Sequence, residues 1–133
     1  MKGFNQINEI LMDQTAVKVL STTNEDGTVH SIYAGSVSPL DNDNMFVAEL
    51  IMRQTTANWS KNPNFSLLVT KGMEGTYLIK GKAVSRITEG ELIEMVRPKM
   101  KEVGFDTQAV WVLNVEEIYG NQANPETCGK KLF

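Results

Sequence analysis

One cysteine, Cys128, and one histidine, His30, are the chain's whole supply of those two residue types. An intramolecular disulfide is therefore excluded, and so are the cysteine-rich and multi-histidine metal sites, which need several such ligands. Only four prolines occur in 133 residues, and no Pro/Gly-rich or low-complexity tract interrupts them. No apolar run reaches the length of a membrane-spanning helix, so no membrane is expected as a partner. The first eight residues mix Lys2, Asn5, Gln6 and Asn8 with few apolar neighbours. They lack the apolar core of a secretory signal, which makes the cytoplasm the expected compartment. A surplus of basic charge is missing too. Thirteen Lys and Arg stand against sixteen Asp and Glu, a net charge of -3. Nucleic acid is disfavoured as a partner, because neutralising phosphates takes an excess of Lys and Arg.

What is present suits one soluble domain spanning residues 1–133. Hydrophobic residues make up 41% and charged residues 22%, enough for a packed core without staples. Phe4, Ile7, Ile10 and Leu11 recur at helical spacing and predict a short amphipathic helix. Residues 16–23, rich in β-branched and aliphatic side chains, read as a strand. The following Asp26-Gly27 supplies a hairpin turn, and residues 28–37 return as a second strand. Residues 45–49 form a third, short strand. Residues 53–61 read as a helix that Asn62-Pro63 ends. Strands follow at 65–70 and 76–87, the latter with Gly81 as the expected bulge. Thr88-Glu89-Gly90-Glu91 fits a capping box opening a helix to about residue 103. Residues 109–119 are the last strand. The short connections favour antiparallel pairing, and about six strands with few helices favour a closed or nearly closed barrel.

The middle of the chain adds a sharper pattern. A hairpin and a short strand precede Arg53-Gln54-Thr55-Thr56-Ala57-Asn58, then Asn62-Pro63 and the apolar strand Phe65-Ser66-Leu67-Leu68-Val69. This ordered set, over residues 16–119, resembles the FMN-binding split barrels related to pyridoxamine-phosphate oxidase, particularly their small FMN-binding members. The resemblance implies a mainly β fold: a six-stranded, mostly antiparallel split β-barrel with flanking helices. It implies FMN as cofactor, a homodimer with the flavin between subunits, and an oxidoreductase acting on a small substrate. In the family the flavin phosphate sits at the start of the short helix, which maps here to Arg53, Gln54, Thr55 and Thr56, the two threonines as hydroxyl donors. The start of a helix suits an anion, and arginine adds a forked grip. Gln54 stands where many members carry a basic residue. The isoalloxazine lies along two strands, which maps to Ser31, Ile32, Tyr33 and Ala34 on one side and Ala48, Glu49 and Leu50 on the other.

The remaining residues point to no catalytic group. The carboxylates are dispersed, and a flavin carries its own redox chemistry, leaving binding and orientation to the protein. His30 reads as a polar strand residue, although a haem-binding relative on the same barrel would need it as axial ligand. The same barrel would also serve a deazaflavin-binding relative, and the same pocket a non-catalytic FMN electron carrier. A pyridoxamine-phosphate oxidase in the strict sense is disfavoured, since residues 118–133 lack the basic substrate segment of that enzyme. Trp59 and Trp111 read as packing residues, and Met95 and Met100 as adaptable core. Trp111, Val112 and Leu113 offer apolar surface for a two-fold interface. The tail, residues 120–133, ends in Leu132 and Phe133 and is expected to cross the dimer and partly cover one flavin. Cys128 within it reads as incidental.

Overall fold

The computed structural model describes residues 4–133, with side chains from residue 7 onward, so the expected contribution of Phe4 lies outside the described side chains. The order is α1 (Phe4–Met12), β1 (Val17–Thr23), β2 (Val29–Tyr33), β3 (Ser38–Pro39), β4 (Asn44–Glu49), α2 (Arg53–Trp59), β5 (Asn64–Thr70), β6 (Thr76–Ile87), α3 (Glu91–Glu102) and β7 (Ala109–Gly120). The strands form one antiparallel sheet in the order β2-β1-β5-β6-β7-β4-β3. This is the split-barrel architecture, a curled sheet with three helices against it. Seven strands replace the expected six, because the chain after β2 does not continue to residue 37. It turns at residues 34–37, closed by a Val37 amide to Ala34 carbonyl bond of 3.2 Å, and restarts as the two-residue β3.

Local chemistry explains most of the strand ends. The β1–β2 hairpin closes with Gly27 at φ 88°, which few other residues adopt, while the Asp26 carboxylate accepts the Thr28 amide at 3.0 Å. Gly81 lies at a register shift in the β6–β7 ladder. A Cβ there would fall 1.8 Å from the Asn114 carbonyl oxygen, so only glycine permits the two long strands to bend this closely. The capping box is not formed. α3 begins at Glu91 after Gly90 at φ 108°, with no side-chain cap, because the positive-φ turn leads the chain into the helix without Thr88.

The core fills the concave side of the sheet. Leu20, Leu67, Ile79, Leu113 and Ile118 are fully buried there, and Ile7 and Leu11 of α1 close it. A smaller cluster of Ile93, Val96, Ala48 and Val110 seats α3 against β4 and β7. Trp59 packs on Trp111 at 5.0 Å between ring centroids, as the packing reading expects. Trp111 and Leu113 therefore face inward and supply no interface surface; of the expected trio only Val112 is half-exposed. Met95 is likewise exposed and not core, whereas Met100 is half-buried. Among the described residues no helix is long and apolar enough to cross a membrane.

The tail folds back on its own subunit. The Ile118 amide donates to the Phe133 carbonyl at 3.0 Å, and the Leu132 amide to the Ile118 carbonyl at 2.7 Å. Phe133 packs against the main core. Its side chain is thus used within its own subunit and is not a free anchor for a partner, while Leu132 remains exposed.

Candidate active site

A cavity of about 530 Å3 opens between the end of β2 and the end of β4. Ile32, Tyr33 and Ala34 continue into the Gly35-Ser36 turn along one side. Val47, Ala48 and the connection Leu50-Ile51-Met52 form the other. A third wall comes from the C-terminal end of α3 and the residues after it, through Met100, Val103 and Phe105. Five of the residues expected along the flavin ring, Ile32, Tyr33, Ala34, Ala48 and Leu50, meet at this cavity. Their strands, β2 and β4, are not neighbours in the sheet, and its curl brings their ends together. The walls are apolar. The Ser36 hydroxyl accepts the Ala48 amide at 3.2 Å, so it ties the two sides together across the cavity.

Ser31 and Glu49 do not line the cavity. Strand alternation turns Ser31 to the outer sheet face, where its hydroxyl meets that of Ser21 at 2.7 Å. Glu49 is buried, and its carboxylate binds four donor groups. Arg86 reaches it through Nε at 3.0 Å and Nη2 at 2.8 Å, Trp111 Nε1 at 2.8 Å and Thr56 Oγ1 at 3.0 Å. The Arg86 hydrogen bonds, joined by those from Trp111 and Thr56, hold its pKa below the ordinary glutamate value against the opposing effect of burial. Glu49 thereby fixes the first turn of α2 to β6 and β7.

Arg53, Gln54 and Thr55 open α2 directly after Met52 of the cavity wall, and the helix start carries no side-chain cap. Arg53 is exposed. Thr55 is fully buried, and its hydroxyl has no hydrogen-bond partner. Gln54 turns the other way. Its amide donates to Asn58 Oδ1 at 2.9 Å and Asn24 Oδ1 at 3.3 Å, toward a second, polar cavity of about 350 Å3. Sequence reasoning missed Ser36, Met52, Met100, Val103 and Phe105. The exposed apolar pair Val103 and Phe105, just past a helix end, was the available signal. His30 lines neither cavity. Among the described residues no three His, Cys, Asp or Glu side chains gather as a metal site.

The fold agrees with comparisons to known proteins. A structure of HupZ from Group A Streptococcus superposes with a TM-score of 0.76 at 19% identity, covering 90% of this chain and 94% of that one. An FMN-binding protein from Syntrophomonas wolfei subsp. wolfei gives 0.79 at 13% identity, covering 88% and 84%. An F420 reductase gives 0.64 at 15% identity, covering 83% and 94%. At these identities the likeness is one of fold. No curated protein matches the sequence. The pyridoxamine 5'-phosphate oxidase profile matches residues 5–122, most of the chain, and the chain belongs to that family.

Proposed function

We propose that this chain binds FMN in the apolar cavity and serves as an oxidoreductase for a small substrate. The observation that carries the reading is the cavity itself: a slot between β2 and β4, apolar on its walls, with Arg53 beside its Met52 end. The residues fit the group. An apolar slot suits a flat ring, and exposed Arg53, the residue after Met52 of its wall, suits a monophosphate. The buried Thr55 hydroxyl lacks a partner, which a phosphate oxygen would supply. When bound, FMN would supply the electron and hydride chemistry. The chain's own part is to hold the ring between the two strand ends, exclude water with Met52, Met100 and Phe105, and anchor the phosphate through Arg53. Tyr33, Ile51 and Val103 line the cavity and are exposed, an open rim that suits an enzyme whose substrate must reach the ring better than an electron carrier with a covered ring.

A homodimer is part of the proposal, through a different surface from Trp111 and Leu113. The strand registers align Tyr33, Val19, Leu68, Leu78 and Tyr119 in one row across five strands on the outer face. All are half-buried except Tyr33, which is exposed and also lines the cavity. A self-complementary apolar row favours two-fold pairing, and pairing there would bring a partner against the cavity mouth. Light scattering should give about twice 14.8 kDa.

The test of the cofactor is an absorption spectrum of the purified protein, mass analysis of any released group, and titration of apoprotein with FMN, FAD and a deazaflavin. Tightest binding of FMN supports the reading. Tighter binding of FAD or a deazaflavin, or a released haem, refutes it.

A further inference from the structure

Among the described residues Lys18 is the only buried basic side chain, 5% exposed. β1 places it against the pattern of its neighbours. Val17 and Val19 point outward, while Lys18 shares the inward face with Leu20 and Thr22. The registers with β2 and β5 fix this arrangement, since a slip of one residue would reverse every side chain. Among the described residues Lys18 has no ion pair. Asp13 favours its charged form, but Asp13 is itself paired with Lys71 at 2.5 Å. The Lys18 ammonium instead donates to the carbonyls of Val37 at 2.7 Å and Gly35 at 3.4 Å. A lysine buried in this way bears a desolvation penalty, and burial pulls its pKa below the ordinary lysine value. A nearby negative charge would offset that penalty.

The carbonyls it holds belong to the turn that lines the cavity, for Ala34, Gly35 and Ser36 all face it. We propose that Lys18 is a positioning residue whose buried charge favours the reduced, anionic state of a flavin ring bound against residues 34–36. The inference rests on the flavin reading above. Reduction by a hydride donor breaks the donor's C–H bond, forms N5–H on the ring, and leaves one net negative charge at the ring's N1–C2 carbonyl edge. A cation behind the supporting turn, in a poorly screened interior, stabilises that charge and does little for the neutral oxidised ring. Lys18 acts through its field and through the peptides it holds, without touching the ring.

The experiment uses the full chain reconstituted with FMN and reduced by dithionite. Lys18→Gln keeps amide donors for the carbonyls and removes the charge. It is expected to bind oxidised FMN within about threefold of the unaltered protein and reduced FMN about tenfold more weakly, a potential lower by about 30 mV. Lys18→Arg should keep the original potential. An unchanged potential in folded Lys18→Gln overturns the proposal. So does equal weakening of both redox states, which would make Lys18 only a peg for the turn. Should Lys18→Gln fail to fold, the unaltered protein decides. Its bound reduced FMN should take up the N1 proton at a lower pH than free reduced FMN, read by absorbance; protonation at the same or higher pH overturns the proposal. Failure of the unaltered protein to bind any flavin is a separate result, which refutes the function reading and this inference with it.

Discussion

Two cavities lie beside α2, and they differ in what their polar groups already do. In the polar one, Asn58 donates to Thr22 at 2.9 Å and to Asn24 at 2.9 Å, Gln54 donates to Asn58, and Lys61 pairs with Glu25 at 2.9 Å. A ligand entering there must break bonds to make its own, with little net gain. In the apolar cavity the unused quantity is surface. Tyr33, Ile51 and Val103 are 68%, 82% and 64% exposed around one opening. Covering apolar area gains roughly 25 cal/mol per Å2, so a flat apolar ligand gains most there. The polar cavity is a joint between α2 and the β1–β2 hairpin; the apolar one is the proposed place to bind.

The largest expected effect falls on the support that holds α2 between them. Glu49→Ala takes the acceptor from Arg86, Trp111 and Thr56 and should lower stability by about 2–4 kcal/mol in urea unfolding, since Trp111 is buried and Thr56 half-buried, whereas the exposed Arg86 can turn to water. A loss below about 1 kcal/mol would show that the node is dispensable. The same carboxylate predicts a pH dependence. Its folded pKa is depressed, so its contribution is present above the unfolded pKa and is lost as pH falls through the folded one. Glu49→Gln should therefore lose less stability than the unaltered protein as pH drops below about 4.5; parallel acid profiles would contradict this.

Arg53→Ala comes next. It should weaken FMN binding by about 1.5–3 kcal/mol, the range for a charged hydrogen bond, with unfolding unchanged because Arg53 is exposed. Full affinity would remove the phosphate assignment. Thr55→Val tests the unpartnered hydroxyl. Apoprotein stability should hold or rise, while FMN affinity falls by about 0.5–1.5 kcal/mol. A variant with less stable apoprotein and unchanged affinity would mean that the hydroxyl is structural. The smallest effect on binding belongs to Gln54→Ala. Calorimetry should show affinity changed by less than about 0.5 kcal/mol, with stability down by about 0.5–1.5 kcal/mol from the lost amide network. A larger effect on affinity than on stability would return Gln54 to the phosphate site.

Much of the fold and part of the site are legible in the sequence alone. β-branched runs and Asp-Gly mark the first hairpin, and Gly81 marks the bulge in β6, because both are local backbone requirements. The family pattern brings Ile32 to Ala34 near Ala48 and Leu50. What is not legible depends on direction and tertiary context. Trp111 and Leu113 look like free apolar surface until register turns them inward. Lys18 looks like a solvated strand residue until alternation buries it. Gln54 and Glu49 carry suitable chemistry at suitable positions, yet nearer partners, Asn58 and Arg86, have engaged them. The third wall of the cavity arises only when α3 returns against β4 and β7.

The central claim is that FMN occupies the apolar cavity and leaves the polar one alone. Backbone amide NMR during titration of the apoprotein with FMN tests it most directly. The account predicts large shifts at residues 32–36 and 48–55, with Val103 and Phe105 following, and little change at residues 24–27 and 61–62. Shifts concentrated at the hairpin turn and the end of α2, with residues 32–36 silent, would contradict it.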